Sequence, residues 1–492
     1  MTSSNLPIKL NHSALSELFK IVQVPQYDRN HLKNGFVHIG VGGFHRAHQA
    51  LYLDNYLHQT SDFRWGICGI GLLPQDRAMR DALHSQDNLY TLVERSPNAD
   101  HARIIGAIDR YLFAPEDPQS VIAALASPDC RIVTLTITEG GYYYNESDGE
   151  LEIEHPTIQH DLQNSEQPIG TYGFLAAALD QRRKQGLAPF TVQSCDNLQG
   201  NGNITRKMLT AFAELRDPAL ARWLSDYGAF PNSMVDRITP ATTESDRALV
   251  ATQFGIQDDF PVVAEPFIQW VIEDQFCAGR PDLEKVGVQF TSDVHPYELI
   301  KIRLLNASHV LIGYLGTLLG YTYVHEVMAD AQCRQAVMAL MEEVTPTLQP
   351  VEGINLAEYK KTLIERFENP IIRDRVSRLC FNGSAKNPKF ILGTLRDKLD
   401  QDGSIDYLCL TIAAWFRCLM GEDDQGRAIA IDDPLADILV DRAKNAPVDL
   451  RPLLSLNAVF GNDLSQASRF VETTAKILQQ LSTVGVRATL AN

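Results

Sequence analysis

Gly35-Phe36-Val37-His38-Ile39-Gly40-Val41-Gly42-Gly43-Phe44-His45-Arg46-Ala47-His48 is the stretch on which the reading of the fold turns. Its first residues form a short apolar run that predicts a buried strand. The run leads without a spacer into glycines at 40, 42 and 43, and then into the helical Gln49 to His58. Strand, glycine-rich turn and helix is the arrangement that brings backbone N–H groups up to a pyrophosphate. Gly40 and Gly42 match the first two glycines of the dinucleotide-binding fingerprint, and His45 holds the place of the third. Ile39, Gly40, Val41, Gly42, Gly43, Phe44, His45 and Arg46 are therefore the candidate cofactor-binding residues. The plainer alternative is a tight strand-to-helix turn with no ligand, in which Arg46 caps a surface instead of meeting a phosphate.

The pattern outward from this turn alternates strand and helix. A second strand is predicted over Trp65 to Gly71, with a helix beginning near Gln75-Asp76-Arg77. A carboxylate after the second strand bonds the adenosine ribose and repels a 2′-phosphate, which makes Asp76 the candidate and favours NAD over NADP. Further strands are expected at Asn88 to Val93, Ala102 to Ile108 and Arg131 to Ile137. The last of these is β-branched and nearly apolar throughout, as a central parallel strand should be. It ends in Thr138-Glu139-Gly140-Gly141-Tyr142. Ligands of open α/β sheets lie beyond the carboxyl ends of the strands, so Glu139 is a candidate for cofactor contact or proton relay, or else a simple turn carboxylate. A helix over Tyr172 to Gly186 feeds a strand over Phe190 to Gln193, which ends in the polar Ser194-Cys195-Asp196-Asn197. Helices at Ile204 to Leu215 and Ala219 to Tyr227, then strands at Pro261 to Glu265 and Val286 to Phe290, complete a first domain over residues 1–295.

Residues 296–492 change character, with helical patterns joined by short Pro- and Gly-marked loops. Helices are expected at Tyr297 to Gly320, Val324 to Gln349, Leu356 to Phe367, Ile371 to Cys380, Leu392 to Gln401 and Tyr407 to Gly421, with Arg451 to Leu456 as a connection. The first of these is apolar on every side, and a helix of that kind is a buried one. Lys301, Asn306 and His309 stand on it within roughly a 140° arc at about 100° per residue, so they can address one cavity. Burial disfavours an ammonium and so converts a lysine into a usable general base. Amide and imidazole groups beside it would orient a hydroxyl or carbonyl oxygen. The alternative is a lysine that reaches solvent at the helix edge while the other two satisfy nearby backbone.

Composition narrows the class. The chain has 492 residues, 45% of them hydrophobic and 21% charged, as in an ordinary globular protein. A net charge of −17 argues against general affinity for nucleic acid or anionic membrane. Eight cysteines without a CxxC pair suggest neither a disulfide framework nor a structural zinc site. No basic start precedes a long apolar run, and no stretch offers about 18 uninterrupted apolar residues, so a reducing cytoplasm is the default expectation.

His38 to His48 (HIGVGGFHRAH), Leu135 to Tyr142 (LTITEGGY), Ser194 to Leu198 (SCDNL), Met234 to Pro240 (MVDRITP), Glu265 to Asp274 (EPFIQWVIED) and Lys301 to His309 (KIRLLNASH) resemble, in order and spacing, motifs of the long-chain mannitol dehydrogenase family. The resemblance runs over essentially the whole chain. It implies an α/β fold: a Rossmann-like N-terminal domain with a parallel sheet, plus a mainly α-helical C-terminal domain for substrate and catalysis. It also implies a zinc-independent, NAD(P)-dependent polyol or sugar-acid dehydrogenase without a metal. With Asp76 favouring NAD, NAD is the expected cofactor, a polyol or ketose substrate the expected partner, and a monomer or small homo-oligomer the expected state. By the same resemblance Lys301 is the general base, Asn197 and Asn306 hold the reacting oxygen, His309 supports them, and Glu139 assists proton exchange with solvent. Asp236, Arg378 and Lys386 fall on substrate-binding positions. Pro388-Lys389-Phe390 is nearer to the mannitol branch, which implies hydride transfer at C2 between D-mannitol and D-fructose. Fructuronate or tagaturonate reduction, arabinitol or sorbitol oxidation, and a non-catalytic nucleotide sensor are the alternatives.

Overall fold

The structure, a computed structural model, describes residues 6–145 and 148–491. The chain forms two compact units, Met1–His295 and Pro296–Asn492. The first is built on five parallel strands: β1 (Phe36–Ile39), β2 (Ile67–Gly71), β3 (Ile108–Phe113), β4 (Ile132–Leu135) and β5 (Thr191–Ser194). They lie in the order β3-β2-β1-β4-β5. The helices that bear on the site are α1 (Gly43–Ala47), α2 (Gln49–Thr60), α3 (Arg77–Ser85), α4 (Pro118–Ala126) and α5 (Thr171–Lys184).

Successive strand residues point to opposite faces of a sheet. Val37, Ile39, Val133 and Leu135 therefore pack with Val121, Leu125, Phe174 and Leu175 of α4 and α5. Phe36, Ile67, Ile108 and Ile132 pack with Tyr52, Leu53 and Leu57 of α2 on the other face. Both faces are covered, which is why these strands read as unbroken apolar runs. The chain runs outward from β1 to β3 and then returns to β4 on the other side of β1. The place where strand order reverses thus lies between the carboxyl ends of β1 and β4, where such sheets bind ligands.

The strand expected over Ala102 to Ile108 is two strands, Asp100–Ile105 and β3, which belong to different sheets. Gly106 divides them. A Cβ there would stand 2.6 Å from Pro25, and Arg29 Nε donates to the Gly106 carbonyl at 3.0 Å, so the N-terminal arm is seated in the corner. Three smaller sheets, Val262–Ala264 with Tyr90–Arg95 and Asp100–Ile105, Gln289–Thr291 with Gln269–Glu273 and Ser233–Asp236, and the pair Ile8–Lys9 with Ile256–Gln257, complete the unit among the described residues.

A single helix, His295–Leu319, which begins at the last residue of the first unit, runs through the core of the second and changes pitch on the way. Residues His295–Ile300 are α-helical, Lys301–Asn306 form a π-helix, and α6 (Ala307–Leu319) resumes the ordinary pitch. Among the described residues this is the one helix long and apolar enough to cross a membrane, yet 78% of its apolar window is buried inside the protein. Short helices α7 (Val376–Cys380) and α8 (Gly383–Asn387) lie beside it, followed by a second π-helix, Pro388–Leu392, that packs on the first. Pro388 lacks an N–H and so cannot continue the α-helical bonding of α8. Helices α9 (Asp406–Leu419) and α10 (Ser468–Leu490), the latter kinked at Gly485, whose φ of +79° is not helical, close the core.

The helix expected over Val324 to Gln349 is broken at Asp330, whose carboxylate caps the second piece through the N–H groups of Gln332 and Cys333. That expected over Ile371 to Cys380 is shortened to α7, because Arg373 takes a left-handed conformation at φ +52°. Arg451–Leu454 is a helical turn within the expected connection, and α10 is a long element that the sequence reading does not identify.

Candidate active site

In the first unit the glycine turn is pressed onto the end of β4. Gly40 has φ +93°, and a Cβ there would lie 2.1 Å from the Thr136 carbonyl oxygen, so no side chain fits. Thr136 Oγ1 donates to the Gly40 carbonyl at 2.7 Å. With that proton committed, the 2.9 Å contact between Thr136 and His38 Nε2 requires the imidazole to donate there, and Thr134 Oγ1 donates in turn to Nδ1 at 2.8 Å. The ring is thereby fixed as the neutral Nε2–H tautomer. Burial pushes its pKa down to about 3.

His45, at the third glycine position, lies flat on His38 with ring centres 3.4 Å apart and 11° between planes. A third glycine normally lets helix and strand approach closely; here two neutral stacked rings fill that contact. Gly42 is different. A Cβ there would meet only the Gly40 oxygen, at 3.8 Å, so the backbone faces open space where a diphosphate can approach. Gly43 starts α1 directly after it. Ile39 and Val41 are core residues flanking the turn, and Phe44 stacks on His48.

Arg46 is placed elsewhere. Its guanidinium is fully buried, donates to the Phe260 carbonyl and lies over the rings of Tyr90 and Phe260, each 5.2 Å from the centre. Asp76 ends a short turn after β2 and accepts the Leu73 N–H at 2.9 Å. Its side chain and the Tyr111 hydroxyl both press on Gly71, where a Cβ would lie 2.3 Å from that hydroxyl oxygen. The turn thus holds Asp76 at the carboxyl edge of β2, where an adenosine ribose belongs.

At the ends of β4 and β5 the organising group is Asp196, which the sequence reading places only among polar residues at a strand terminus. Its carboxylate accepts the N–H groups of Ile137 (2.9 Å) and Thr138 (3.1 Å) and the Tyr142 hydroxyl (2.6 Å). Thr138 has φ +59°, a strained conformation for a β-branched residue, and these bonds hold it there. Burial raises the Asp196 pKa to about 6 against the lowering effect of its three donors. Glu139 and Asn197, both exposed, are the immediate neighbours of this clamp. Asp236 is buried at the end of Ser233–Asp236. Next to it, Arg237 donates to the carbonyls of Ala47 and Glu265, tying the end of α1 to the smaller sheets.

In the second unit the π-helix sets the geometry. Its bonds run from residue i to i+5, so Asn306 stands one full turn above Lys301, and His309 follows one α-turn on at i+3. The three line a narrower stripe than an unbroken α-helix would give. Lys301 and Asn306 are buried, and His309 packs on Phe367 at 4.7 Å between ring centres.

The same face carries Gly313 and Gly316, where a Cβ would come within 2.9 Å of Leu379 and 3.1 Å of Val376. These glycines let α7 lie directly against the helix, and α7 brings Arg378. Arg378 Nε and Nη2 donate to the two Asp374 carboxylate oxygens, at 2.7 and 2.5 Å. Burial acts to raise the Asp374 pKa, but Arg378, with His309 adding to it, holds the carboxyl below its usual value. Lys386 Nζ lies over the Phe381 ring at 3.7 Å and donates to the Arg378 carbonyl at 3.2 Å, so the two expected substrate-binding cations are neighbours. Among the described residues no group of three or more His, Cys, Asp or Glu side chains is arranged to hold a metal ion.

Residues 34–285 match the model of the mannitol dehydrogenase Rossmann domain, and residues 293–482 that of the mannitol dehydrogenase C-terminal domain. A mannitol 2-dehydrogenase of Aspergillus fumigatus is 50% identical, with 98% of this chain and 99% of that one covered, and one of Aspergillus oryzae is 49% identical over the same shares. Among solved structures, Pseudomonas fluorescens mannitol 2-dehydrogenase in a ternary complex with NAD and D-mannitol superposes with a TM-score of 0.90 at 44% identity, covering 98% of this chain and 99% of that one. A D-sorbitol dehydrogenase in substrate-free form gives a TM-score of 0.90 at 37% identity, with 98% and 100% covered. Full-length matches at this identity, together with the glycine turn and the lysine helix, establish the relationship. The chain belongs to the mannitol dehydrogenase family.

Proposed function

We propose that the protein interconverts D-mannitol and D-fructose, with Lys301 as general base and without a metal. Family membership makes it an NAD-dependent polyol dehydrogenase. The observation that carries the finer reading is the π-turn that stacks Lys301 and Asn306, with His309 above them, on one buried stripe of an apolar helix.

Burial disfavours the charged form of an amine, so a neutral Lys301 can take the proton of the C2 hydroxyl. The Asn306 amide donates to the oxygen as negative charge develops on it, and the reading gives Asn197 the part of second donor. NAD, when bound, supplies the acceptor for the hydride that leaves C2. Its diphosphate fits the open backbone at Gly42 and its ribose fits Asp76. Lysine and amides together supply the stabilisation that a Lewis acid gives in zinc enzymes, which supports metal independence. Glu139, exposed beside the Asp196 clamp, suits proton exchange with solvent.

A neutral polyol is favoured over a uronate. A substrate carboxylate needs a cation, yet Arg378 already pairs through two nitrogens with Asp374, and Lys386 is held on backbone carbonyls and the Phe381 ring. The test is NADH oxidation in EDTA with fructose and fructuronate as separate substrates. Turnover of fructose that EDTA does not reduce is expected. Turnover confined to fructuronate would move the substrate to the uronates, and loss of activity in EDTA restored by zinc would overturn metal independence.

A further inference from the structure

Arg77 and Arg80 begin α3, directly after Asp76, and stand three residues apart on one face. Cations at this place are what an NADP-binding site uses for the 2′-phosphate. Here both are engaged by one residue. Arg77 Nη1 bonds Glu116 Oε1 and Arg80 Nη1 bonds Glu116 Oε2, each at 2.5 Å, so each carboxylate oxygen holds one guanidinium. Arg80 Nε is bonded to Asp81 as well. Both guanidinium carbons lie over the ring of Phe113, at 5.1 and 5.3 Å from its centre.

Phe113 is the last residue of β3, the neighbour of β2 in the sheet, and the Glu116 N–H returns to its carbonyl at 3.1 Å. The carboxylate is therefore fixed by the strand adjoining the one that presents Asp76. Hydrogen bonds from Arg80, then Arg77, hold the Glu116 carboxyl below its usual pKa, so it stays charged throughout the neutral range.

We propose that Glu116 is a specificity-determining residue: by holding Arg77 and Arg80 against Phe113 it withholds both cations from a 2′-phosphate, so that NADP meets the Asp76 carboxylate without a compensating charge. A 2′-phosphate would have to displace Glu116 from both arginines before it could bind them, whereas the 2′-hydroxyl of NAD makes no such demand. The proposal rests on the placement of the ribose at Asp76, but the clamp can fail while that placement stands, and D76N tells the two failures apart.

The experiment measures kcat/KM for fructose reduction with NADPH and with NADH, and the Kd of each nucleotide by fluorescence titration. The variants are D76N, E116A, E116Q and E116A/R77A/R80A, each checked by its thermal midpoint. E116A is expected to raise the NADPH to NADH ratio about tenfold, which is what one freed charge-assisted bond to phosphate is worth. E116Q, which keeps the bulk of the side chain, should move the ratio the same way by less. In the triple variant the gain should vanish. An unchanged ratio in E116A overturns the clamp. A gain that persists in the triple variant also overturns it, since the charge of Glu116 would then act without the arginines. An unchanged ratio in D76N overturns the ribose placement, and the proposal with it.

Discussion

At the strand ends of the first unit, Gly40 and Thr138 sit in left-handed backbone conformations that a frame of hydrogen bonds imposes. Lys301, Asn306 and His309 of the second unit stand instead on an unbroken helix whose pitch changes beneath them. In the first case the polar groups are aimed by turns, and position is secured bond by bond through His38, Thr136 and Asp196. In the second they are aimed by packing, because the glycine face of α6 sets how near α7 can come. The two regions should therefore break in different ways. A turn fails when backbone conformation is denied to it, and a packed helix fails when volume is added.

The strongest test of the turn is Gly40→Ala. A methyl group at φ +93° and 2.1 Å from a carbonyl oxygen cannot be relieved by a rotamer change. Strain and overlap together should cost roughly 3 kcal/mol and abolish measurable NADH binding. A variant that binds NADH within threefold of wild type would show that the turn is not the rigid part. On the packed side, Gly313→Ala adds a carbon 2.9 Å from Leu379. Overpacking of this kind costs about 2 kcal/mol and should push α7 outward. KM for the polyol should then rise while the Kd for NADH stays unchanged, a split that thermal shift and steady-state kinetics resolve together. Equal damage to both constants would erase the distinction between the two regions.

The smallest effect, counted per pH unit, is the response to acid. His38 titrates near 6.5 in an unfolded chain but near 3 in the folded one, so between those values the unfolded state binds the extra proton. Stability must fall as pH drops through that window, by about 1.4 kcal/mol per pH unit from this group. Urea unfolding of wild type and His38→Asn from pH 7 to pH 4 should differ in slope by about one proton. Parallel curves would mean that the ring is not held neutral.

The first region was the more legible of the two. Gly40 and Gly42 mark the turn by spacing alone, and the apolar runs at Phe36 to Ile39 and Ile132 to Ile137 announce strands covered on both faces. What could not be read there depends on three-dimensional neighbours. Arg46 looks like a phosphate ligand by position but turns into the core between Tyr90 and Phe260. The end of one strand and the start of another merge around Gly106, because the arm residues Pro25 and Arg29 that separate them are distant in sequence. Asp196 is visible as a polar residue at a strand end, but nothing local says that it faces the backbone of the neighbouring strand.

In the second region residue types pointed to Lys301, Asn306 and His309, and an apolar helix was evident. The π-turn was not, since neither a proline nor a glycine lies between Lys301 and Asn306 to signal a change of pitch. The roles of Gly313 and Gly316 likewise emerge only against Leu379 and Val376, more than 50 residues away in the chain.

The central claim is that Lys301 and Asn306 act on one oxygen, and a double-mutant cycle tests it most directly. kcat/KM for fructose reduction would be measured for wild type, K301A, N306A and K301A/N306A, with NADH binding checked in each. Residues that act as a unit give strongly non-additive losses. The account predicts a fall of about 10³-fold in K301A, within the range for a general base, and less than a further tenfold in the double variant. Contradiction would come from K301A turning over within tenfold of wild type with NADH bound normally, or from losses in the double variant that simply multiply.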